Sequence, residues 1–126
     1  MISNTFYNPD VSEEPDPETL FSILDDKYAR DILTKTSEKP MTAGDLSEAC
    51  DASPPTVYRR LDRLTENGLV AERKEFRDKG RHYSVYVARL EQALIELDEG
   101  EWRVSVTAPV PDDPAYRFTQ MWEGMR

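Results

Sequence analysis

One segment of the chain concentrates side chains that can bind an anionic ligand: SPPTVYRRLDRLTENGLV, residues 53–70. In a helix with about 100° per residue, three of its aliphatic side chains fall within about 60° of one another. This core-facing stripe consists of Val57, Leu61 and Leu64. Arg59 and Arg63 lie on the opposite side, and guanidinium groups pair with phosphate oxygens or with the O6 and N7 edge of guanine. The spacing therefore predicts a helix over residues 53–67 with a basic outer face.

The predicted contacts on this helix come from its N-terminus, its outer face and its flanks. They are Ser53, Pro55, Thr56, Tyr58, Arg59, Arg60 and Arg63. Thr56 lies near the helix start, where its side chain can reach a phosphate or a thymine methyl group and where a helix N-terminus favours a phosphate. The alternative for the arginines is a purely surface role, for example pairing of Arg59 with Asp62 within the helix.

A second basic cluster follows in a predicted β-hairpin. A charged run that ends at Phe76 turns through Arg77-Asp78-Lys79-Gly80-Arg81, and residues 82–87 return as a β-rich run. The predicted contacts here are Arg77, Lys79, Arg81 and His82. They would lie along phosphates or enter a minor groove, where arginine is favoured. Tyr83 is a further candidate for a phosphate, and the alternative for the whole turn is a solvated charge run.

The elements ahead of these clusters must position them. Asp16-Pro17 predicts the start of a helix over residues 17–36, because apolar residues recur there every four positions. These residues are Leu20, Leu24, Tyr28 and Ile32. Thr42 and Asp45 form a capping-box-like pair that predicts a two-turn helix over residues 43–50.

A tight connector leads from this short helix into the basic helix. Ser53 is the predicted N-cap, and Pro54-Pro55 occupies the first turn, where missing amide groups cost nothing. Asn67-Gly68 is the predicted C-terminal stop. The order helix, helix, tight turn, helix and hairpin predicts an α+β fold, mainly α, of the winged helix-turn-helix type, with a C-terminal β-hairpin and a short helix as an extension.

Two interpretations fit the chain beyond residue 90. A second hairpin turning at Glu99-Gly100 explains the alternation of Trp102, Val104 and Val106 with polar residues. A helix is the alternative, since Leu90, Ala93, Leu94 and Leu97 also fit helical spacing. We favour the hairpin. Asp113-Pro114 would then cap a final helix that carries Phe118, Trp122 and Met125 on one face.

The charge of the chain is unevenly distributed. The formal net charge is −9, yet residues 53–83 hold 8 Lys and Arg against 5 Asp and Glu. A ligand docked on that window feels local charges more than distant ones, since screening acts over about 8 Å at physiological ionic strength. The charge total therefore does not exclude a nucleic-acid partner. With 11 Arg, 5 Lys and many carboxylates, the composition resembles that of proteins from salt-loving archaea, the alternative being an ordinary acidic protein.

No pattern for enzymatic chemistry is found in the sequence. It contains no phosphate-cradling Gly-rich loop, nucleophile elbow or metal-spaced set, so neither an enzyme nor a cofactor is expected. The pair Asp25-Asp26 suits surface and cap positions. Cys50, the single cysteine, is interpreted as a small buried core residue, and a redox switch is the alternative. His82, the single histidine, is interpreted as a residue of the hairpin turn.

The stretch TAGDLSEACDASPPTVYRRLDRLTENGLV, followed by the charged hairpin, resembles the ArsR-like winged helix-turn-helix regulators common in halophilic archaea. The resemblance covers roughly residues 18–89. It implies double-stranded DNA as the ligand, a recognition helix at residues 53–67, a wing at residues 77–83 and a homodimer. Metal-sensing relatives carry a Cys-x-Cys-type pair, whereas this chain has only Cys50, so metal sensing is not expected.

The sequence thus predicts three parts: an acidic tail (1–16), a DNA-binding domain (17–89) and an extension (90–126) that we expect to support dimerisation. The expected function is sequence-specific transcriptional regulation. The alternative is a winged helix used as a protein-interaction module in a transcription or replication assembly. The start of the chain lacks the features of a signal peptide, so the cytoplasm is the expected location and no membrane partner is expected. The sequence identifies no small-molecule effector.

Overall fold

A computed structural model describes residues 15–77 and 80–108 of the chain. Within these residues four helices come first: α1 Pro17–Asp25, α2 Lys27–Glu38, α3 Ala43–Ala49 and α4 Pro54–Glu66. Four strands follow: β1 Val70–Phe76, β2 His82–Ala88, β3 Gln92–Asp98 and β4 Glu101–Thr107. The predicted N-terminal tail lies outside the described residues except for Pro15 and Asp16, and the predicted final helix lies wholly outside them.

Three helices begin at the capping side chains that the sequence predicts. Backbone N–H groups of Thr19, Asp45 and Thr56 donate to the side chains of Asp16, Thr42 and Ser53 respectively. In α3 the Asp45 carboxylate also accepts the Thr42 N–H at 3.4 Å, which completes a capping box. These caps fix where α1, α3 and α4 start, and the predicted starts are confirmed.

The predicted single helix over residues 17–36 is wrong, because the chain breaks at Asp26 into α1 and α2. Asp26 has an extended backbone (φ −83°, ψ 121°), and its carboxylate accepts the Ala29 N–H at 2.8 Å, so it caps α2. The four-residue spacing of apolar side chains continues across the break, since both helices turn an apolar face to the core. Periodicity alone therefore does not reveal the break.

Strands β1 and β2 form the predicted antiparallel hairpin, with Val70 opposite Ala88 and Phe76 opposite His82. Met41, between α2 and α3, forms an isolated β-bridge with Tyr86 that the sequence did not predict. Its N–H donates to the Tyr86 carbonyl at 3.1 Å, and its carbonyl accepts the Tyr86 N–H at 2.7 Å. Helices α2, α3 and α4, with this bridge and the hairpin, form a winged helix-turn-helix. The β1–β2 hairpin is its wing.

Strands β3 and β4 form a second antiparallel hairpin, as we favoured over the helical alternative. Asp98 pairs with Glu101 around a two-residue turn in which Glu99 (φ 51°) and Gly100 (φ 84°) both have positive φ. The hairpin shares the apolar core of the helices, whose cluster includes Leu20, Ile32, Leu46, Leu61, Leu64, Leu69, Tyr86, Val104 and Val106. The predicted domain boundary at residues 89 and 90 stays a prediction. In the described part of the chain, no helix has the length and apolar character needed to cross a membrane.

Candidate nucleic-acid interface

The turn between α3 and α4 sets the angle between these two helices. Asp51 has a left-handed backbone (φ 50°), which non-glycine residues seldom adopt. Its N–H donates to the Glu48 carbonyl at 3.3 Å, and the Ala52 N–H donates to the Ser47 carbonyl at 3.1 Å. These two bonds satisfy the last carbonyls of α3 and reverse the chain within three residues. The helix-turn-helix geometry is therefore built into the backbone of this turn.

Helix α4 is oriented by its aliphatic stripe. Val57, Leu61 and Leu64 have essentially no exposed surface, as the sequence predicts. Burial of one such side chain contributes about 1.5–3 kcal/mol, so together these three determine which side of α4 turns inwards. The arginine side must then face away from the core.

Arg59 and Arg63 are both exposed on α4. The Arg63 guanidinium donates one hydrogen bond, from Nη2 to the Ser22 Oγ at 3.1 Å. Arg59 forms no side-chain hydrogen bond or ion pair with residues 15–77 or 80–108, so the alternative pair with Asp62 is not formed. Neither guanidinium is neutralised by a carboxylate within this part of the chain. Both are available to an anionic ligand.

Arg60 differs from its two neighbours, because it is held within the protein. Its Nε and Nη2 donate to the two carboxylate oxygens of Asp26, at 2.9 and 3.1 Å. Its guanidinium also lies 5.7 Å from the centre of the Tyr28 ring, within range of a cation–π contact. The hydrogen bond from Arg60 lowers the pKa of the Asp26 carboxyl below its ordinary value. The predicted contact of Arg60 with DNA stays a prediction, and this arrangement gives Arg60 a positioning role.

An open groove of about 530 Å³ lies between α4 and the junction of α1 and α2. Its lining includes both basic and acidic side chains: Ser22, Asp25, Asp26, Lys27, Arg59, Arg60 and Arg63. Arg60 neutralises Asp26, and Lys27 pairs with Asp31 at 2.7 Å. Sequence reasoning did not find the residues from α1 and α2, since nothing in the sequence links them to a helix that is more than thirty residues further along.

The N-terminus of α4 presents the remaining predicted contacts of this helix. Ser53 is occupied as the N-cap, and its hydroxyl also donates to the Thr56 hydroxyl at 3.0 Å. Pro55 and Tyr58 are exposed. Burial is the main cause of the raised pKa of Tyr86 in β2, and Tyr58 and Asp62 of α4 add to it. Helix α4 contacts both β1 of the wing and α2.

The wing carries its basic residues at its tip. Arg77 lies 4.4 Å over the Tyr83 ring, and His82 lies 4.5 Å from the exposed ring of Phe76 on the other face of the hairpin. Arg77, Arg81 and His82 are all exposed. Lys79 lies outside the described residues. The tip thus presents two guanidinium groups, one of them supported by an aromatic ring.

The charges nearer the base of the wing are balanced internally. Lys74 donates to Glu72 at 3.2 Å and to the Ser84 hydroxyl at 2.7 Å. Hydrogen bonds from Ser84 and Lys74 lower the pKa of the Glu72 carboxyl. Arg73 pairs with Glu75 at 3.3 Å. Within residues 15–77 and 80–108, the arginines of the wing without an ion pair are therefore Arg77 and Arg81, near its tip.

Cys50 lies in the core below the helix-turn-helix turn, as predicted. Its side chain is buried, and this burial raises the pKa of the thiol. A thiol in such surroundings is a weak nucleophile at neutral pH. In the part of the chain that the structure describes, no group of three or more His, Cys, Asp or Glu side chains could hold a metal ion.

Comparison with known families adds to this geometry. Residues 24–73 match the family described as a helix-turn-helix domain. The helix-turn-helix match begins in α1 and ends in β1, so it contains the turn at Asp51 and the whole of α4. No curated protein matches the sequence. This part of the chain is thus similar to helix-turn-helix domains, in agreement with the winged helix-turn-helix fold of the structure.

Proposed function

We propose that this chain is a sequence-specific DNA-binding transcriptional regulator that acts as a homodimer. The observation that carries the proposal is the orientation of α4. Its aliphatic stripe is buried, and Arg59 and Arg63 point outwards without a carboxylate partner in the described residues. The match to a helix-turn-helix domain supports DNA as the ligand. The ArsR-like, halophilic-archaeal type suggested by the sequence is part of the proposal.

In the proposed complex α4 enters the major groove, which is about 12 Å wide and admits one helix. Arg59, unpaired and central on the outer face, contacts the guanine edge. Arg63, already oriented by Ser22, contacts the same groove or its phosphates. Pro55, Thr56 and Tyr58 lie at the helix start, close to the base edges and the backbone. Arg77 and Arg81 place the wing on the backbone or in the neighbouring minor groove.

Asp26 and Arg60 fix α4 for this contact. Their paired hydrogen bonds tie the middle of α4 to the start of α2, so α4 does not need to be ordered when DNA binds. A preorganised site loses less conformational entropy on binding. A dimer would place two such helices in successive major grooves, with half-sites about 34–36 Å apart. Regulation would follow from occlusion or recruitment at a promoter.

The proposal is tested with an Arg59→Ala/Arg63→Ala double variant. The probe is a duplex selected from a random-sequence library with the parent protein, compared with an unrelated duplex of equal length. Each lost base contact costs about 1–3 kcal/mol, so we expect affinity for the selected duplex to fall about 100-fold or more. An Arg89→Ala/Arg103→Ala variant removes the same charge outside α4 and the wing. It should bind almost as the parent does.

Circular dichroism should show that both double variants keep the fold, because all four side chains are at least partly exposed. Binding by the parent should also weaken with salt, with a slope near one per phosphate contact. Unchanged affinity of the Arg59/Arg63 variant would refute the proposed role of this face. A parent protein that selects no duplex at all would favour the alternative, a protein-interaction module.

A further inference from the structure

The tip of the wing carries a large apolar side chain that the fold leaves uncovered. Phe76, the last residue of β1, is the most exposed large hydrophobic residue in residues 15–77 and 80–108, with 72% of its surface accessible. Its ring packs against the His82 ring, whose centre lies 4.5 Å away and whose plane is tilted by 54°. Single exposed apolar side chains are common on protein surfaces, so exposure alone assigns no role. What distinguishes Phe76 is its position.

Phe76 lies on the face of the wing that packs against the helices. Side chains alternate along a strand, so Val70 and Phe76 point to the same face of β1, and directly paired residues share that face. At the base of this face Val70, its partner Ala88 and the nearby Tyr86 are buried in the core. Phe76 and His82 form the outermost pair of the same face. Since β1 also contacts α4, the ring extends the surface that the wing turns towards α4.

Two guanidinium groups flank the Phe76–His82 pair. The Arg77 N–H donates to the Arg81 carbonyl at 2.7 Å, which fixes these two residues side by side at the end of the hairpin. Neither arginine forms an ion pair within residues 15–77 and 80–108, and Arg77 is held over the Tyr83 ring. A partner that covers the apolar ring must therefore also carry negative charge at its rim. A groove of duplex DNA has this arrangement, with phosphates along its edges and stacked bases at its floor.

The length of β1 determines which groove the ring can reach. Phe76 lies six positions beyond Val70, and a strand rises about 3.3 Å per residue, so the ring lies about 20 Å beyond the base of the wing. One turn of duplex is about 34 Å long, so a minor groove lies about 17 Å from the neighbouring major groove along the axis. The wing is thus long enough to bring Phe76 to the minor groove beside the major groove that α4 would occupy.

We infer that Phe76 is a wedge that enters the minor groove and partly unstacks one base step. Inserted apolar side chains kink a duplex, and the steps that yield most easily are the pyrimidine–purine steps TA and CA/TG. His82 supports the ring, while Arg77 and Arg81 contact the phosphates beside it. The inference rests on the proposed function. It adds a residue that determines specificity through the deformability of DNA, in the groove where base edges carry little information.

The first test is the sequence preference of the full-length protein. Duplexes selected with the parent from a random-sequence library should share a TA or CA/TG step about half a helical turn from the bases that α4 contacts. A stiff run of adenines at that place should weaken binding. Phe76→Ala should bind the selected duplex about tenfold more weakly than the parent, because the apolar contact is lost, and it should no longer distinguish the two duplexes. Phe76→Leu should retain most of both properties, since leucine also serves as a wedge.

Leu97→Ala is the matched control. It removes an apolar side chain with 59% exposure from the second hairpin, so it should bind and discriminate as the parent does. Circular dichroism should show that Phe76→Ala keeps the fold, because the ring is mostly outside the core.

The second test detects the unstacked step directly. The fluorescent adenine analogue 2-aminopurine, placed at successive positions of the selected duplex, emits more strongly where a base loses its stacking neighbour. The parent should raise the emission at one step, and Phe76→Ala should not. Equal binding and equal discrimination by the parent and Phe76→Ala would overturn the inference, as would a parent complex in which no position brightens. A parent that selects no duplex refutes the proposed function as well, whereas selection that depends on Arg59 and Arg63 but not on Phe76 refutes the inference alone.

Discussion

Asp26 performs three tasks, two with its carboxylate and one with its backbone. It caps α2 through the Ala29 N–H, it accepts two hydrogen bonds from Arg60, and it ends α1 by its extended backbone. The Asp26–Arg60 pair is only partly exposed, with about a quarter of each side chain accessible, so solvent screens it less than a surface ion pair. Removal of the carboxylate would therefore both loosen α4 and release a third guanidinium into the groove.

We predict that Asp26→Asn lowers the free energy of unfolding by about 1 kcal/mol at neutral pH, whereas Asp26→Ala lowers it by about 2 kcal/mol. Asparagine retains the capacity to cap α2 and loses only the charged pair, whereas alanine loses both. Urea titrations followed by circular dichroism measure the difference. No loss of stability in Asp26→Asn would mean that the pair with Arg60 contributes nothing, and equal losses in the two variants would mean that the cap contributes nothing.

The same pair makes a prediction for pH. The pKa of Asp26 in the folded protein lies below its ordinary value of 3.8, so its stabilising effect is complete above about pH 4 and is lost as the pH falls through the folded pKa. The stability difference between the parent and Asp26→Asn should therefore shrink in acid. A difference that stays constant down to pH values near 2 would contradict the lowered pKa.

Released Arg60 should also change DNA binding. We predict that Asp26→Asn steepens the salt dependence of non-specific binding by about one unit, because one more guanidinium reaches the phosphates. Asp25→Asn is the matched control, since it makes the same charge change in the same groove at a carboxylate without an ion pair in the described residues. Equal slopes for the two variants would show that only net charge matters.

At the scale of single residues, the sequence predicts the orientation of side chains but not their long-range partners. Helical spacing correctly placed Val57 inside and Arg59 outside, and apolar spacing correctly placed Cys50 in the core. The pair of Arg60 with Asp26 was not predictable. It joins residues 34 apart in sequence, and nothing local distinguishes Arg60 from the arginine beside it.

Among the elements, α4 has the most sharply defined end. The N–H groups of Gly68 and Leu69 donate to the carbonyls of Thr65 and Leu64 at 3.1 and 2.9 Å, and Gly68 has a φ of 74°. This Schellman motif requires a left-handed residue after the helix, which glycine adopts without penalty. It directs the chain from α4 straight into β1, so it also sets where the wing begins.

We predict that Gly68→Ala destabilises the protein by about 1 kcal/mol, because a Cβ atom strains the left-handed backbone. Gly44→Ala is the matched control within α3. An added Cβ there meets only the Thr42 Oγ1 at 3.8 Å, an ordinary contact, so better helix propensity should leave stability unchanged or raise it by up to about 1 kcal/mol. Thermal unfolding of both variants measures the contrast. A loss of stability in both would indicate that tight packing, rather than φ, controls these positions.

Elements with their own local signals were predictable. Caps and turn residues fixed the starts of α1, α3 and α4, and Glu99-Gly100 fixed the second hairpin. Two features were not predictable because they depend on tertiary contacts. The break at Asp26 is stabilised by Arg60, and the β-bridge at Met41 depends on the backbone groups of Tyr86. Asp26 was assigned to a surface or cap position, but nothing local shows that one helix ends there and another begins.

For the molecule as a whole, charge is the dominant variable. The chain carries a net charge of −9, while its basic groups concentrate on α4 and the wing. Repulsion among the carboxylates opposes the compact state, and salt reduces that repulsion. Added salt should therefore stabilise the folded protein while it weakens the binding of that protein to DNA phosphates.

We predict that the free energy of unfolding rises by about 1–2 kcal/mol between about 0.1 and about 2 M KCl. Urea titrations of the parent at the two salt concentrations measure this difference. The triple variant Glu91→Gln/Glu96→Gln/Glu101→Gln, which removes three negative charges from the second hairpin, should show a smaller gain. A gain unaffected by these three substitutions would trace the effect of salt to other groups.

The second hairpin shares its interior with α1, and this limits where the chain can be cut or joined. Val104 and Val106 pack in the same cluster as Leu20, so a fragment ending after residue 89 would leave α1 without part of its cover. Chimeras that exchange DNA specificity should accordingly transplant only the outward positions of α4 into an otherwise intact chain. A reporter protein fused behind the wing should therefore be joined after residue 108 and not after residue 89, so that the second hairpin is retained.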